Sequence, residues 1–242
     1  MELFIFAILG LCIGSFLNVV IIRIPKEENI AFPASHCVTC NKPLKWYHNI
    51  PLFSWLALRG KCAYCHSKIS FQYPLIELLS MGIFIICALK YESYLQIILS
   101  AILFSLLLAL SAIDFKYKAV PDVLSIPALF VSLFINDFLP SLQAALILTG
   151  AFALLRILIS WFIKKEAMGE ADIIIAGVIG GVLGIKLGLS AIYIAALISL
   201  PVFLVVSKKG YELPFIPFLS LGLFFTWAFE TQVLSLLEMI YE

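Results

Sequence analysis

Charge is scarce in this 242-residue chain, where 13% of residues are Asp, Glu, Lys or Arg, 63% are hydrophobic and mean hydropathy is +1.09. That balance excludes a soluble domain and leaves a polytopic membrane protein. Nucleic acid is excluded as a partner, because a net charge of +1 comes with no aromatic and basic platform. Internal repeats and low-complexity linkers are missing, which argues against two independent membrane halves. A Gly-x-Gly-x-x-Gly loop after a strand is missing too, so a dinucleotide-type fold is not expected. No base precedes the first apolar run, which continues to Val20, Ile21 and Ile22 before Arg23, so it reads as a retained helix and not a cleaved signal.

Apolar runs cover roughly 1–22, 73–89, 94–113, 120–135, 142–163, 171–187, 189–207 and 214–237. With around 20 residues needed per crossing, these predict an all-α protein of about eight transmembrane helices, with a boundary in Gly184 to Ser190. Three parts follow: a first helix over 1–22, a hydrophilic island over 23–72, and a membrane domain over 73–242. Bases concentrate in alternate loops: Arg23 to Lys68, then Lys116 and Lys118, Lys164 and Lys165, Lys208 and Lys209. The opposite loops hold Lys90 and Lys186, and residues 136–141 hold no base. The positive-inside rule places the basic loops and the island in the cytoplasm and both termini outside. Membrane lipid is the implied surround.

The island carries Cys37-Val-Thr-Cys40 and Cys62-Ala-Tyr-Cys65, two C-x2-C pairs with 21 residues between them. Each pair can set two thiolates on one ion, and two pairs complete a closed tetrahedral zinc site with no open catalytic position. The zinc is therefore expected to be structural, since about 50 residues bury little core without a metal. Disulfides are the alternative, disfavoured by a reducing cytoplasm. His36, His48 and His66 read as ordinary polar residues, and Cys12 and Cys87 as small apolar packing groups. Trp46 and Trp55 suit a membrane interface.

Acids are nearly absent from the long apolar segments except at two ends. Asp114 closes the third run in Ser111-Ala-Ile-Asp114, and Asp172 opens the sixth in Gly169-Glu170-Ala171-Asp172. A carboxylate at a membrane boundary is expensive to desolvate and is kept where it faces protein, water or a substrate path. Asp122, after Pro121, reads simply as an acid at a helix start. The same explanation fails for Asp114, whose own helix presents its negative end there. Both aspartates fall at the predicted cytoplasmic edge, where they can share one proton. The ionised carboxylate then activates water while its partner protonates or polarises a peptide carbonyl. Proton-coupled transport uses the same residue types, so on residues alone proteolysis and transport both stand, with a non-catalytic assembly factor third.

The ordered set Gly14-Ser-Phe-Leu-Asn18 to Arg23-Ile-Pro25, both cysteine pairs, Trp46 to Cys62, and Ile69 to Pro74 leading to Glu77 resembles the bacterial type IV prepilin peptidases. These are membrane aspartic proteases of the class that includes preflagellin peptidases and presenilin. The resemblance runs almost end to end. It implies that Asp114 and Asp172 are the catalytic aspartates and that Cys37, Cys40, Cys62 and Cys65 are zinc-associated. It implies cleavage of basic leader peptides from prepilins or pseudopilins at the cytoplasmic face of the inner membrane, and methylation of the new N-terminus with S-adenosylmethionine. The chain departs from the family's Gly-x-Gly-Asp at Ala171, and carries Ile174 where lysine is usual. Among lesser residues, Glu77 could contact a substrate amine or cap and pair, Arg156 should snorkel, and Gly177, Gly181, Gly184 and Gly188 should permit close helix packing.

Overall fold

The computed structural model describes residues 1–164, 168–206 and 213–241; Lys165, Lys208 and Lys209, used above, lie outside them. Among the described residues the chain is helical and forms no strand, and it divides into two compact units, Met1–Glu92 and Ser93–Glu242.

In the first unit α1 (Glu2–Arg23) packs on α3 (Gln72–Lys90), with the short α2 (Phe53–Ala57) inside the island between them. Backbones approach because side chains are missing: a Cβ on Gly10 would lie 2.7 Å from Met81 Cα, and one on Gly14 2.7 Å from Glu77 Cα. Small residues four apart allow this without help from the hydrophobic effect, which is weak between helices in lipid. One turn further, the buried Asn18 donates to the carbonyls of Gly14 at 3.2 Å and Tyr73 at 3.1 Å. The buried Arg23 ends α1 by reaching the carbonyls of Asn29 at 2.9 Å and Pro33 at 2.7 Å, which pins the first loop of the island.

In the second unit α4 (Tyr94–Tyr117) is enclosed by its neighbours, with Leu103, Phe104, Leu107, Leu110 and Ile113 buried. It packs on α5 (Asp122–Ser132) and α8 (Ile216–Ala228), while α7 (Glu170–Val206) packs on α5, α6 (Phe138–Ile163) and α8. The chain ends in α9 (Glu230–Tyr241). Phe104 of α4 stacks on Phe224 at 5.1 Å and Trp227 at 4.6 Å, so the two helices run antiparallel, with the end of α4 beside the start of α8.

Among the described residues, five helices can cross a membrane by length and composition, or six if the bent α8 and α9 pair is one span, against about eight expected. The difference has three local causes. The run 120–135 yields an 11-residue helix with Pro127 inside, about 17 Å long at 1.5 Å per residue, too short for a roughly 30 Å hydrocarbon core. The runs 171–187 and 189–207 count together as α7, but two helices meet there across a kink at Gly184, inside the expected boundary of Gly184 to Ser190, at φ 71°, a value glycine reaches without strain. Asn136 donates to the Val182 carbonyl beside that break at 3.0 Å. The run 214–237 bends by 87° between Ala228 and Glu230, where Glu230, Thr231 and Gln232 interrupt the apolar pattern.

Candidate active site and metal centre

The two cysteine pairs sit on matching turns. The N–H of Asn41 returns to the Cys37 carbonyl at 2.8 Å and that of His66 to the Cys62 carbonyl at 3.0 Å, with Asn41 at φ 54° and His66 at φ 57°. Each turn folds its two thiols toward one point, and all four Sγ atoms lie within 4.8 Å of one another. Cys37 and Cys65 are 3.8 Å apart, far beyond a disulfide and equal to the roughly 3.8 Å edge of a tetrahedron with Zn–S bonds of about 2.3 Å. The backbone N–H of Cys40, then that of Thr39, holds the Cys37 thiol down to about 6, and the Ser67 hydroxyl lowers Cys65, while at Cys40 the backbone N–H of Lys42 is outweighed by burial and the neighbouring Cys37 and Cys65, which push it up to about 11. Thiolate character is what a metal needs. The donor set therefore fits a four-cysteine metal ion, and none of the three histidines joins it.

Asp114 occupies the last turn of α4 and is 6% exposed; Asp172 occupies the first turn of α7 and is 8% exposed. The first N–H groups of a helix lack partners within it and favour a negative group. Asp114 meets that need for a helix other than its own: its Oδ2 accepts from the N–H of Ile216, at the start of α8, at 3.2 Å. The unfavourable position inferred from α4 alone is thus offset across 102 residues of sequence. Asp172 reaches back to accept from the N–H of Gly169 at 3.2 Å, the acid half of a capping box. Each carboxylate keeps a second oxygen for other work. The helices that carry the two acids, α4 and α7, both pack against α8. Ala171 lies within the helical turn, where a Cβ is unstrained.

Glu77 is buried and accepts from the N–H of Leu52 at 2.7 Å, so it ties the island to α3. Arg156 does more than snorkel. Its Nη1 and Nη2 both donate to Glu170 Oε1 at 3.2 Å, two residues before Asp172. Trp46 is 79% exposed, whereas Trp55 packs on Phe71 and over Gly60. Cys87 is buried, but Cys12 is exposed on α1. Gly177, Gly181 and Gly188 are close-packed as expected; Gly184 is not, with nothing within 4 Å of its Cβ position. The tightest approach to the α6 backbone falls at Gly180, where a Cβ would lie 2.6 Å from the Ala144 carbonyl oxygen. That glycine was readable in Gly180-Gly181 but lies off the four-residue spacing.

Residues 8–91 match the Bacterial Peptidase A24 N-terminal domain, and residues 101–204 match the Type IV leader peptidase family. A type 4 prepilin-like proteins leader peptide-processing enzyme of Escherichia coli O78:H11 is 35% identical over 88% of this chain and 88% of its own length. A prepilin leader peptidase/N-methyltransferase of Neisseria gonorrhoeae is 33% identical over 89% of this chain and 86% of its own. One of Myxococcus xanthus is 37% identical over 73% of this chain, a match that spans 54% of that relative's length. No solved structure matches the chain. Two domain models in order and relatives matched over most of their length leave one conclusion: the chain belongs to the type IV leader peptidase family.

Proposed function

We propose that this protein is a membrane aspartic endopeptidase that removes leader peptides from prepilins or pseudopilins at the cytoplasmic face of the inner membrane. The observation that carries the reading is a pair of buried carboxylates, Asp114 ending α4 and Asp172 opening α7, on two helices that both pack against α8. With one proton shared, the ionised carboxylate takes a proton from water as the water oxygen bonds to the peptide carbonyl carbon. The protonated partner donates to the carbonyl oxygen. Collapse of the adduct breaks the C–N bond, and the leaving nitrogen carries away a proton. Lysines in the basic loops orient the site inward.

Cys37, Cys40, Cys62 and Cys65 hold a structural zinc whose closed coordination supplies folding free energy to the island and takes no part in cleavage. Methylation of the new N-terminal amine is supported by the names of the relatives alone. The described residues form no strand–loop–helix nucleotide cradle, so no residue is assigned to S-adenosylmethionine.

Purified Asp114→Asn and Asp172→Asn should each lose leader cleavage of a prepilin, followed by mass spectrometry, while accumulating in the membrane like the wild type. Cleavage at wild-type rates by either variant overturns the assignment, and a proton-driven solute flux with leader processing untouched would point to transport instead.

A further inference from the structure

The outward side of the short helix α2 has the wrong polarity for water. Phe53, Leu56 and Ala57 are its exposed residues, three and four positions apart, while Trp55 turns inward over Gly60 and against Phe71 at 6.0 Å. Its position is fixed on α3, a helix long and apolar enough to cross a membrane. The N–H of Leu52, the residue before α2, donates to Glu77, five residues or about 7.5 Å into α3, and the glutamate side chain leans back toward the helix start. Asn18 of α1 bonds the Tyr73 carbonyl at this level, five residues short of the end of α1 at Arg23. Thus α2 begins deeper than the end of a neighbouring helix that can itself span the membrane. Further along, Trp55 meets Phe71, which heads an exposed apolar stripe of α3 continued by Leu75, Leu78 and Leu79. On a spanning helix such a stripe faces lipid, so the chain wraps the start of α3 from its buried side to its lipid side.

We infer that α2 is an interfacial wedge that seats the island on the anionic phospholipid surface of the membrane, with Phe53, Leu56 and Phe71 at the top of the lipid chains. Charge identifies the occupant. Residues 29–71 contain Lys42, Lys45, Arg59, Lys61 and Lys68 and no Asp or Glu. Five positive charges exceed the net two negative charges of a zinc ion held by four thiolates, so the segment stays cationic with its metal in place. Apolar side chains beside an excess of bases hold a segment at an anionic interface, each base adding attraction within a Debye length of the lipid phosphates. A basic leader peptide is a poor occupant of the same face, which offers it no acid. The inference rests on membrane insertion of α1 and α3 and stands apart from the peptidase reading.

The test uses the full-length protein in lipid nanodiscs, one copy per disc, made of phosphatidylcholine with or without phosphatidylglycerol. Phe53→Trp should gain blue-shifted emission over the wild type, quenched by lipid brominated near the top of its acyl chains. In the wild type, amide deuterium uptake over residues 50–58 should be about tenfold slower in the phosphatidylglycerol discs, the effect of one or two bases at an anionic surface, and high salt should abolish the difference. Phe53→Ser combined with Leu56→Ser should raise that uptake in the same discs while melting temperature stays level, since both side chains are exposed. Red-shifted, unquenched emission from Phe53→Trp overturns the inference. So does blue-shifted emission that brominated lipid does not quench, which marks cover by protein, and so does equal uptake in the two kinds of disc at low salt, which marks apolar contact without charge. Should Phe53→Trp unfold the island, deuterium uptake by the wild type decides alone.

Discussion

Replacing Cys62 by serine should unfold the island while leaving the membrane helices intact. The island has little else to hold it. Phe32 is 76% exposed, Val38 81% and Phe53 68%, so its apolar side chains contribute little burial. What remains are short turns, the Glu77–Leu52 and Arg23–Pro33 bonds, the packing of Trp55 on Phe71 and Gly60, and the edge-to-face contacts among Tyr47, His48 and Tyr64. Hydrogen bonds of this kind contribute about 1 kcal/mol each, more to a charged group, against roughly 1–2 kcal/mol of backbone entropy for every residue ordered. A four-thiolate zinc supplies about 10–16 kcal/mol in small finger domains, enough to decide the balance. Cys62 is the most enclosed of the four ligands at 4% exposure, so serine in its place has little room to recruit a replacement from solvent. The wild type should bind one zinc per chain by elemental analysis, and its island should resist limited proteolysis until a strong chelator is added. The Cys62→Ser protein should show lowered zinc and cuts confined to residues 27–71. A metal-free wild type with four titratable thiols and a protease-resistant island would refute the reasoning.

Three further outcomes follow from the second unit. Asp114→Ala should destabilise by about 1–3 kcal/mol relative to Asp114→Asn in denaturant titrations, because asparagine can still accept from the Ile216 N–H and alanine orphans it. Gly180→Val should destabilise by about 1–3 kcal/mol or more and lower the melting temperature, since the opposing atoms are the backbone of Ala144 and Ala145 and cannot rotate away. Arg156→Gln and Glu170→Gln should show a coupling of only about 0.2–1 kcal/mol in a double-mutant cycle, because Glu170 is 83% exposed; a larger value would mean the pair is shielded by lipid.

Much of this was legible in the residues. The cysteine spacing predicts a single cluster because a C-x2-C turn has few ways to point two thiols, and the structure gathers all four. Apolar runs locate helices reliably, since in lipid each backbone group must bond within its own segment. Runs do not reveal length, since α5 stops after 11 residues, whereas the kink at Gly184 in α7 falls inside the boundary expected between two runs. Hydropathy is also blind to which helix is central, as lipid and protein interior are equally apolar; the enclosure of α4 and the exposure of α6 had no signature.

The sequence by itself determined the membrane class, the metal ligands' convergence and the two acids worth explaining, because these depend on local spacing and on the free energy of moving charge out of water. Only the tertiary structure decided what those acids are bonded to. Asp114 is explained by the start of α8, and Asp172 by its own capping turn. Helix-end electrostatics acts between whichever ends packing brings together, and no reading along a single helix contains that partner.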